Sequence, residues 1–443
     1  MPIAVALALL APVLVVSCSV GPPSSVVATS PAPTSTAEPS AAATATPGPD
    51  RLEASPQPSG DAEPTAGPSA STDPSASPRP SISLFPLPGL TLAPRSPGAA
   101  GGSGPAARAG QPYGPNGTAW ASATPPADKP PTATLSSLEE LRQALATARS
   151  GDVFHLRSMT IPENTQLNDR ATMEHLATLP ENVLVRAAPG EIVKVGPMVR
   201  ISLPHVTWAY LQVEGSFHFV SGAHRARLAR AKLVGASSIH ATNDVSDIEF
   251  VEVAAPDRAR GVDRVQIFAY RSPRVPNNIS FIRCWLEGTD PASPEVHSDT
   301  MQWIAGSGTM RLVNTYVGAA GNNATLQVKD EQQPAGVPYA NFELDTVYLG
   351  GAKIYGNGNL LYKMASPRPH IYRNVEWAQI STYQHSGTAL PAVVERNRIA
   401  GPVPFLPGNY DKPNRRPMNE VFPNNEYEAK VTPPKFQPPP WWW

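Results

Sequence analysis

Five groups able to do chemistry, Glu287, Asp290, Glu295, His297 and Asp299, fall within the short stretch 287–299. That stretch runs straight into Thr300-Met301-Gln302, and Gln327, Lys329 and Asp330 follow one interval later. Three chemistries suit these residue types. A base, His297 or Lys329 with Asp299 beside it, could take a proton from the carbon next to a carboxylate, leaving an enolate that needs positive charge. Arg311 could supply that charge, or Ca2+ held by oxygens of Glu287, Asp290 and Glu295, with Asp299 as a further donor. Paired carboxylates would instead hydrolyse a glycosidic bond, and Asp299 with Asp330 is the best pair available. The same residues also have a plainer use. His297 and Asp299 can close a turn by bonding backbone groups, Gln302 and Gln327 can bond each other across strands, and Lys329-Asp330 can be a solvated loop.

The elements around these residues repeat. One strand family recurs at 206–213, 226–233, 248–253, 279–286, 310–317, 342–349 and 371–377, with apolar residues alternating inward. Trp208, Leu228, Phe250, Phe281, Leu312 and Leu344 should stack in register, at steps of 20, 22, 31, 31 and 32 residues. The first two steps suit a bare coil, and the longer ones imply loops inserted at one corner. A second family holds Phe217-His218-Phe219, Ile239-His240, Val265-Gln266-Ile267, Met301-Gln302-Trp303 and Leu326-Gln327-Val328. Alternation there turns His218, His240, Gln266, Gln302 and Gln327 outward, one above another. Two strand registers repeated over at least five coils predict an all-β solenoid, a right-handed parallel β-helix. An immunoglobulin-like sandwich would need tight hairpin turns that the sequence lacks.

A short helix should open the domain: Ser137-Leu138-Glu139-Glu140 is a capping-box pattern, with Leu138, Leu141 and Leu145 at helical spacing and Gly151 as its end. That helix followed by Gly-Asp-Val-Phe-His-Leu resembles the N-terminal cap and first coil of pectate-lyase-like β-helix proteins. His297-Ser-Asp-Thr-Met-Gln302 resembles the H-x-D-G-x-Q segment of bacterial members of that superfamily, with Thr300 in place of the glycine. The likeness implies an outer face that binds or cleaves an extracellular, acidic polysaccharide, as a uronate lyase that would use Ca2+. The alternative is a surface adhesin or cell-envelope structural module without catalysis. The polygalacturonase and mannuronan-epimerase motifs are absent, and the pectate-lyase R-x-P-x-x-R is met only in part by Arg271-Ser-Pro-Arg274-Val-Pro276. Trp285, Tyr316 and Tyr348 recur at steps of 31 and 32 and face outward, where they could stack on sugar rings or lie beneath a loop or the C-terminal segment.

The flanks differ from the middle. Of 53 prolines, 25 lie between Cys18 and Pro131 and 11 after Gly401. Residues 19–131 read as a disordered Pro/Ser/Thr/Ala-rich linker, 132–400 as the β-helix, and 401–443 as a Pro-rich tail ending in Trp441-Trp442-Trp443. The apolar run Ile3–Val16 ending in Val15-Val16-Ser17-Cys18 resembles a bacterial signal peptide with a lipobox. That likeness implies export, lipid modification of Cys18 and tethering at the outer cell surface, although no Lys or Arg precedes the run. A formal net charge of −1 argues against a nucleic-acid partner. Cys284, the one cysteine in the folded region, reads as a small core residue.

Overall fold

The computed structural model describes residues 129–163, 167–270, 272–293, 298–321, 323–328, 332–351, 359–361, 371–373, 375–378, 393–400, 417–431, 433–436 and 438–439. Cys18, the 19–128 part of the linker, Glu295, His297, Lys329, Asp330 and Trp441–Trp443 lie outside these residues.

The chain winds through three parallel sheets in rotation, which makes it a parallel β-helix. Among the described residues the first sheet has eleven strands, beginning with Ala133–Leu135, Val153–Leu156, Val183–Ala187 and Val206–Ala209 and ending with Val393–Glu395. The second also has eleven, from Met159–Ile161 to Glu426–Glu428. The third has seven: Met198–Ile201, Ser216–Phe219, Ser238–Thr242, Val265–Phe268, Met301–Trp303, Leu326–Val328 and Asn359–Leu361. Parallel strands joined by a crossover through other sheets wind right-handed because of strand twist. Trp208, Leu228, Phe250, Phe281, Leu312 and Leu344 do stand opposite one another on successive strands of the first sheet. All six are fully buried. Phe250 and Phe281 stack at 4.7 Å, with leucines on the rungs to either side.

Each long strand of the first family is in fact two strands with a corner between them. The corner is a single residue in the left-handed region: Tyr210, Arg230, Glu252, Arg283, Asn314 and Thr346, at φ between 49° and 58°. Side chains with a Cβ adopt that conformation at a cost of roughly 1–2 kcal/mol each. Four of these corner residues are linked in a polar ladder. Arg230 Nε lies 2.7 Å and Arg283 Nη2 2.8 Å from the two oxygens of Glu252, which is 2% exposed. Arg230 also donates to the Tyr210 hydroxyl, and the Arg186 guanidinium sits 4.1 Å over the Tyr210 ring.

Helix α1 (Leu138–Ala146) closes the N-terminal end. Ser137 Oγ accepts from the Glu140 amide at 3.2 Å, and Glu140 Oε2 reaches back to the Ser136 amide. Leu141 and Leu145 are fully buried against the first rungs. The helix ends at Thr147, and Gly151 (φ 74°) serves the turn into the next strand instead. A second helix, α2 (Arg170–Ala177), packs on α1 and stands where the first full coil lacks a third-sheet strand. At the other end the solenoid runs past residue 400: Glu426–Glu428 pairs with Arg398–Ala400 as a further rung.

Candidate ligand-binding face

The third sheet's outer surface carries one column of side chains whose chemistry changes along its length. Register aligns Arg200, His218, His240, Gln266, Gln302 and Gln327 on successive strands. Their neighbours Phe217, Ile239, Val265, Met301 and Leu326 point inward and are buried. This is the outward stacking that alternation required.

The column begins with imidazoles. His218 and His240 stack at 4.0 Å and 6°, and His240 Nε2 lies 2.8 Å from Ser238 Oγ. Burial between neighbouring rungs, aided by Arg200, pushes the His218 pKa down to about 4. Burial, then the adjacent His218, lowers His240 as well. Both rings are therefore uncharged at neutral pH. Next come amides. Gln266 Nε2 donates to Gln302 Oε1 at 3.4 Å, and Gln302 Nε2 donates to Gln327 Oε1 at 3.0 Å.

Two carboxylates border the amides. Asp263 Oδ2 accepts from Gln266 Nε2 at 2.6 Å, and Asp299 Oδ2 accepts from Gln302 Nε2 at 3.1 Å. Asp263 Oδ1 takes the Asp299 amide at 2.6 Å, and Asp299 Oδ1 takes the Ala324 amide at 2.7 Å. The carboxylates thus tie three successive coils together at one edge of the column. On its other edge, Phe268 meets His240 edge-on at 6.1 Å, Ile304 follows half-buried, and Tyr270 is 58% exposed. The face is an amide and imidazole lane with an apolar margin.

Several sequence expectations change here. The sequence makes Asp299 a catalytic candidate, but it is 1% exposed with both carboxylate oxygens bonded, so it links its coil to the next. Arg311 was expected near Gln302. It lies on the first sheet instead, 2.7 Å from Glu343. Glu287 and Asp290 do not open toward a Ca2+ site, because Arg258 stands between them, its Nε 2.8 Å from Asp290 and its Nη1 3.7 Å from Glu287. Arg258 also bonds the carbonyls of Thr289 and Ala319, and Glu287 takes the Tyr316 hydroxyl. Among the described residues no group of three or more His, Cys, Asp or Glu could hold a metal ion.

Trp285, Tyr316 and Tyr348 do align outside the second sheet, but not as a sugar platform. Trp285 and Tyr316 stack at 3.8 Å and 12°, Tyr316 and Tyr348 at 5.0 Å and 7°. Their faces cover each other, and only their rims could meet a ligand. Val431 and Phe436 of the C-terminal segment cover those too, with Phe436 5.1 Å from Trp285. Cys284 is buried in the core, and burial raises its thiol pKa to about 12, which leaves it protonated and unreactive.

No family model matches the chain, and no curated protein matches it. Among solved structures the chain is similar to a rhamnogalacturonan lyase, at 12% identity over 66% of this chain and 82% of that one, with a TM-score of 0.32. A likeness that weak bears on neither activity nor substrate. The fold rests on the parallel register of the three sheets: this is a parallel β-helix protein with a polar ladder on one outer face.

Proposed function

We propose that this is an exported, surface-tethered β-helix protein that engages an extracellular polysaccharide along the outer face of its third sheet. The observation that carries the reading is the column from His218 to Gln327. It sets a polar side chain on each rung, about 4.8 Å apart, over five strands in register, of which His218, His240, Gln266 and Gln302 are partly accessible and Gln327 is buried. The amide nitrogens are held by the ladder itself, which leaves amide oxygen able to accept from a sugar hydroxyl, and Phe268 and Tyr270 give the lane an apolar border for the carbon face of a sugar ring. A repeating polymer laid along the solenoid axis would meet similar groups at each step.

The described face favours engagement over cleavage. Its imidazoles lie in a stack and its carboxylates are bonded, so among the described residues no general base points at a ligand. A uronate-lyase chemistry would fall to His297 and Lys329. In this reading residues 1–18 are the signal, a lipid on Cys18 tethers the protein, and residues 19–131 space the domain from the surface.

The test is calorimetric binding of the full chain to a panel of soluble glycans, with ultraviolet absorbance followed in parallel for unsaturated uronates. Binding that falls about tenfold or more in Gln302→Ala/Gln327→Ala, without an absorbance rise, supports the reading. An absorbance rise lost in His297→Ala or Lys329→Ala makes the protein a lyase, and no binding by a folded protein refutes the assignment of the face.

A further inference from the structure

We infer that Asp263 and Asp299 make the third-sheet face selective for neutral, hydroxyl-rich polysaccharide and against uronate polymers; this rests on the reading of that face given above. Along the described column the one cation is Arg200, and it stands at the far end, beyond both histidines. The amide end has two carboxylates on adjacent coils, linked through the Asp299 amide, which donates to Asp263 at 2.6 Å.

The arginines near that end are engaged elsewhere. Arg258 lies between Glu287 and Asp290. Arg264 is fully buried, with its guanidinium on the carbonyls of Gly235, Ser237 and Asp257. Arg274 pairs with Asp244 at 2.6 Å, and Arg260 sits on a small two-stranded ribbon opposite Asp290. The imidazoles add no charge at neutral pH. A carboxylated sugar aligned with the amides would therefore meet like charge at short range, whereas a hydroxyl would find acceptors in the Asp263 carboxylate and the amide oxygen of Gln266.

The arrangement also explains why acids occupy these two positions. Each aspartate orients the amide three residues on, in the paired segments Asp263-Arg-Val-Gln266 and Asp299-Thr-Met-Gln302. The carboxylates thereby fix which end of each amide faces the next rung, while setting the sign of the potential along the lane.

The experiment measures binding of the full chain to a neutral galactan or glucan and to polygalacturonate and alginate, at about 20 mM and 300 mM salt, where screening differs strongly. Wild type should bind a neutral polymer and bind the uronates at least about fivefold more weakly at low salt, with the gap narrowing at high salt. Asp263→Asn keeps an acceptor for the Asp299 amide and lets the Gln266 amide turn over. It should raise uronate affinity severalfold relative to neutral-polymer affinity, so that the ratio between the two narrows at low salt, and keep the melting temperature. Asp299→Asn is the second variant, should the first unfold. Preferential binding to uronates that weakens with salt, or release of unsaturated uronates, would overturn the selectivity while leaving the face as the binding site. Silence toward every polymer would overturn both.

Discussion

The second and third sheets each carry an outward column built by the same rule, and the two columns come to opposite ends. On the second sheet, Trp285, Tyr316 and Tyr348 use their ring faces on each other, and Val431 and Phe436 cover their rims. Glu376 and Arg398 continue that column as an ion pair at 3.0 Å. On the third sheet the side chains are shorter and polar, and His218, His240, Gln266 and Gln302 all stay partly accessible. Stacking in register is thus common property of a solenoid. What differs is what each stretch leaves toward the outside: the aromatic stretch of the second sheet is closed over, while the third-sheet stretch from His218 to Gln302 stays partly accessible.

The sharpest way to break this contrast is Trp285→Ala. If the aromatic column is part of the folded core, the change should cost about 3–5 kcal/mol in denaturant melts and leave glycan binding intact at temperatures where the protein stays folded. A near-neutral melt would mean the column is a surface.

Acid should act on the third sheet next. The folded His218 pKa lies near 4, below the ordinary 6.5 of the unfolded chain, so the unfolded state binds the proton more readily. The stabilisation tied to neutral His218 is therefore complete above about pH 6.5 and is lost as pH falls toward 4, to a total on the order of 3 kcal/mol. Urea midpoints at pH 7.5, 5.5 and 4 should show the loss, and His218→Gln should flatten it. A flat wild-type profile would mean the stack is hydrated.

Phe436→Ala should cost about 1–2 kcal/mol for a half-buried ring and leave binding unchanged. Glycan binding that appears in this variant would show that the tail hides a second ligand face. Gln302→Ala takes the donor from the buried oxygens of Asp299 and Gln327 and is expected to cost about 1–2 kcal/mol while weakening glycan affinity. A large stability loss would make the amide ladder structural, like its aromatic counterpart.

The parts legible in the sequence are those governed by period-two alternation. The inward stack from Trp208 to Leu344 and the outward line from His218 to Gln327 both follow from it, and the helix over Leu141 and Leu145 was legible from its capping box and helical spacing. The corners were not legible. Tyr210, Arg230, Glu252, Arg283 and Thr346 are not residue types that favour a left-handed backbone, so the sequence reads one strand where the chain turns. The corner ion pairs had a readable trace, since Arg230, Glu252 and Arg283 alternate in sign at the repeat steps of 22 and 31 residues. Asp263 could have been found from the repeated D-x-x-Q segments. Arg258 could not, because its partners come from loops whose lengths differ between coils. Glu287 and Asp290, expected to help hold a cation, instead flank that guanidinium. Carboxylates close in sequence do not reveal which positive group lies between them.

The central claim is that ligand lies along the third sheet, and hydrogen–deuterium exchange of the full chain with and without a bound neutral polysaccharide tests it most directly. The account predicts added protection in the segments around 216–219, 238–242, 265–268, 301–303 and 326–328, with the second-sheet strands at 285–286, 316–317 and 348–349 unchanged. Protection centred on the second sheet and the 431–436 segment, or none on the third, would contradict it.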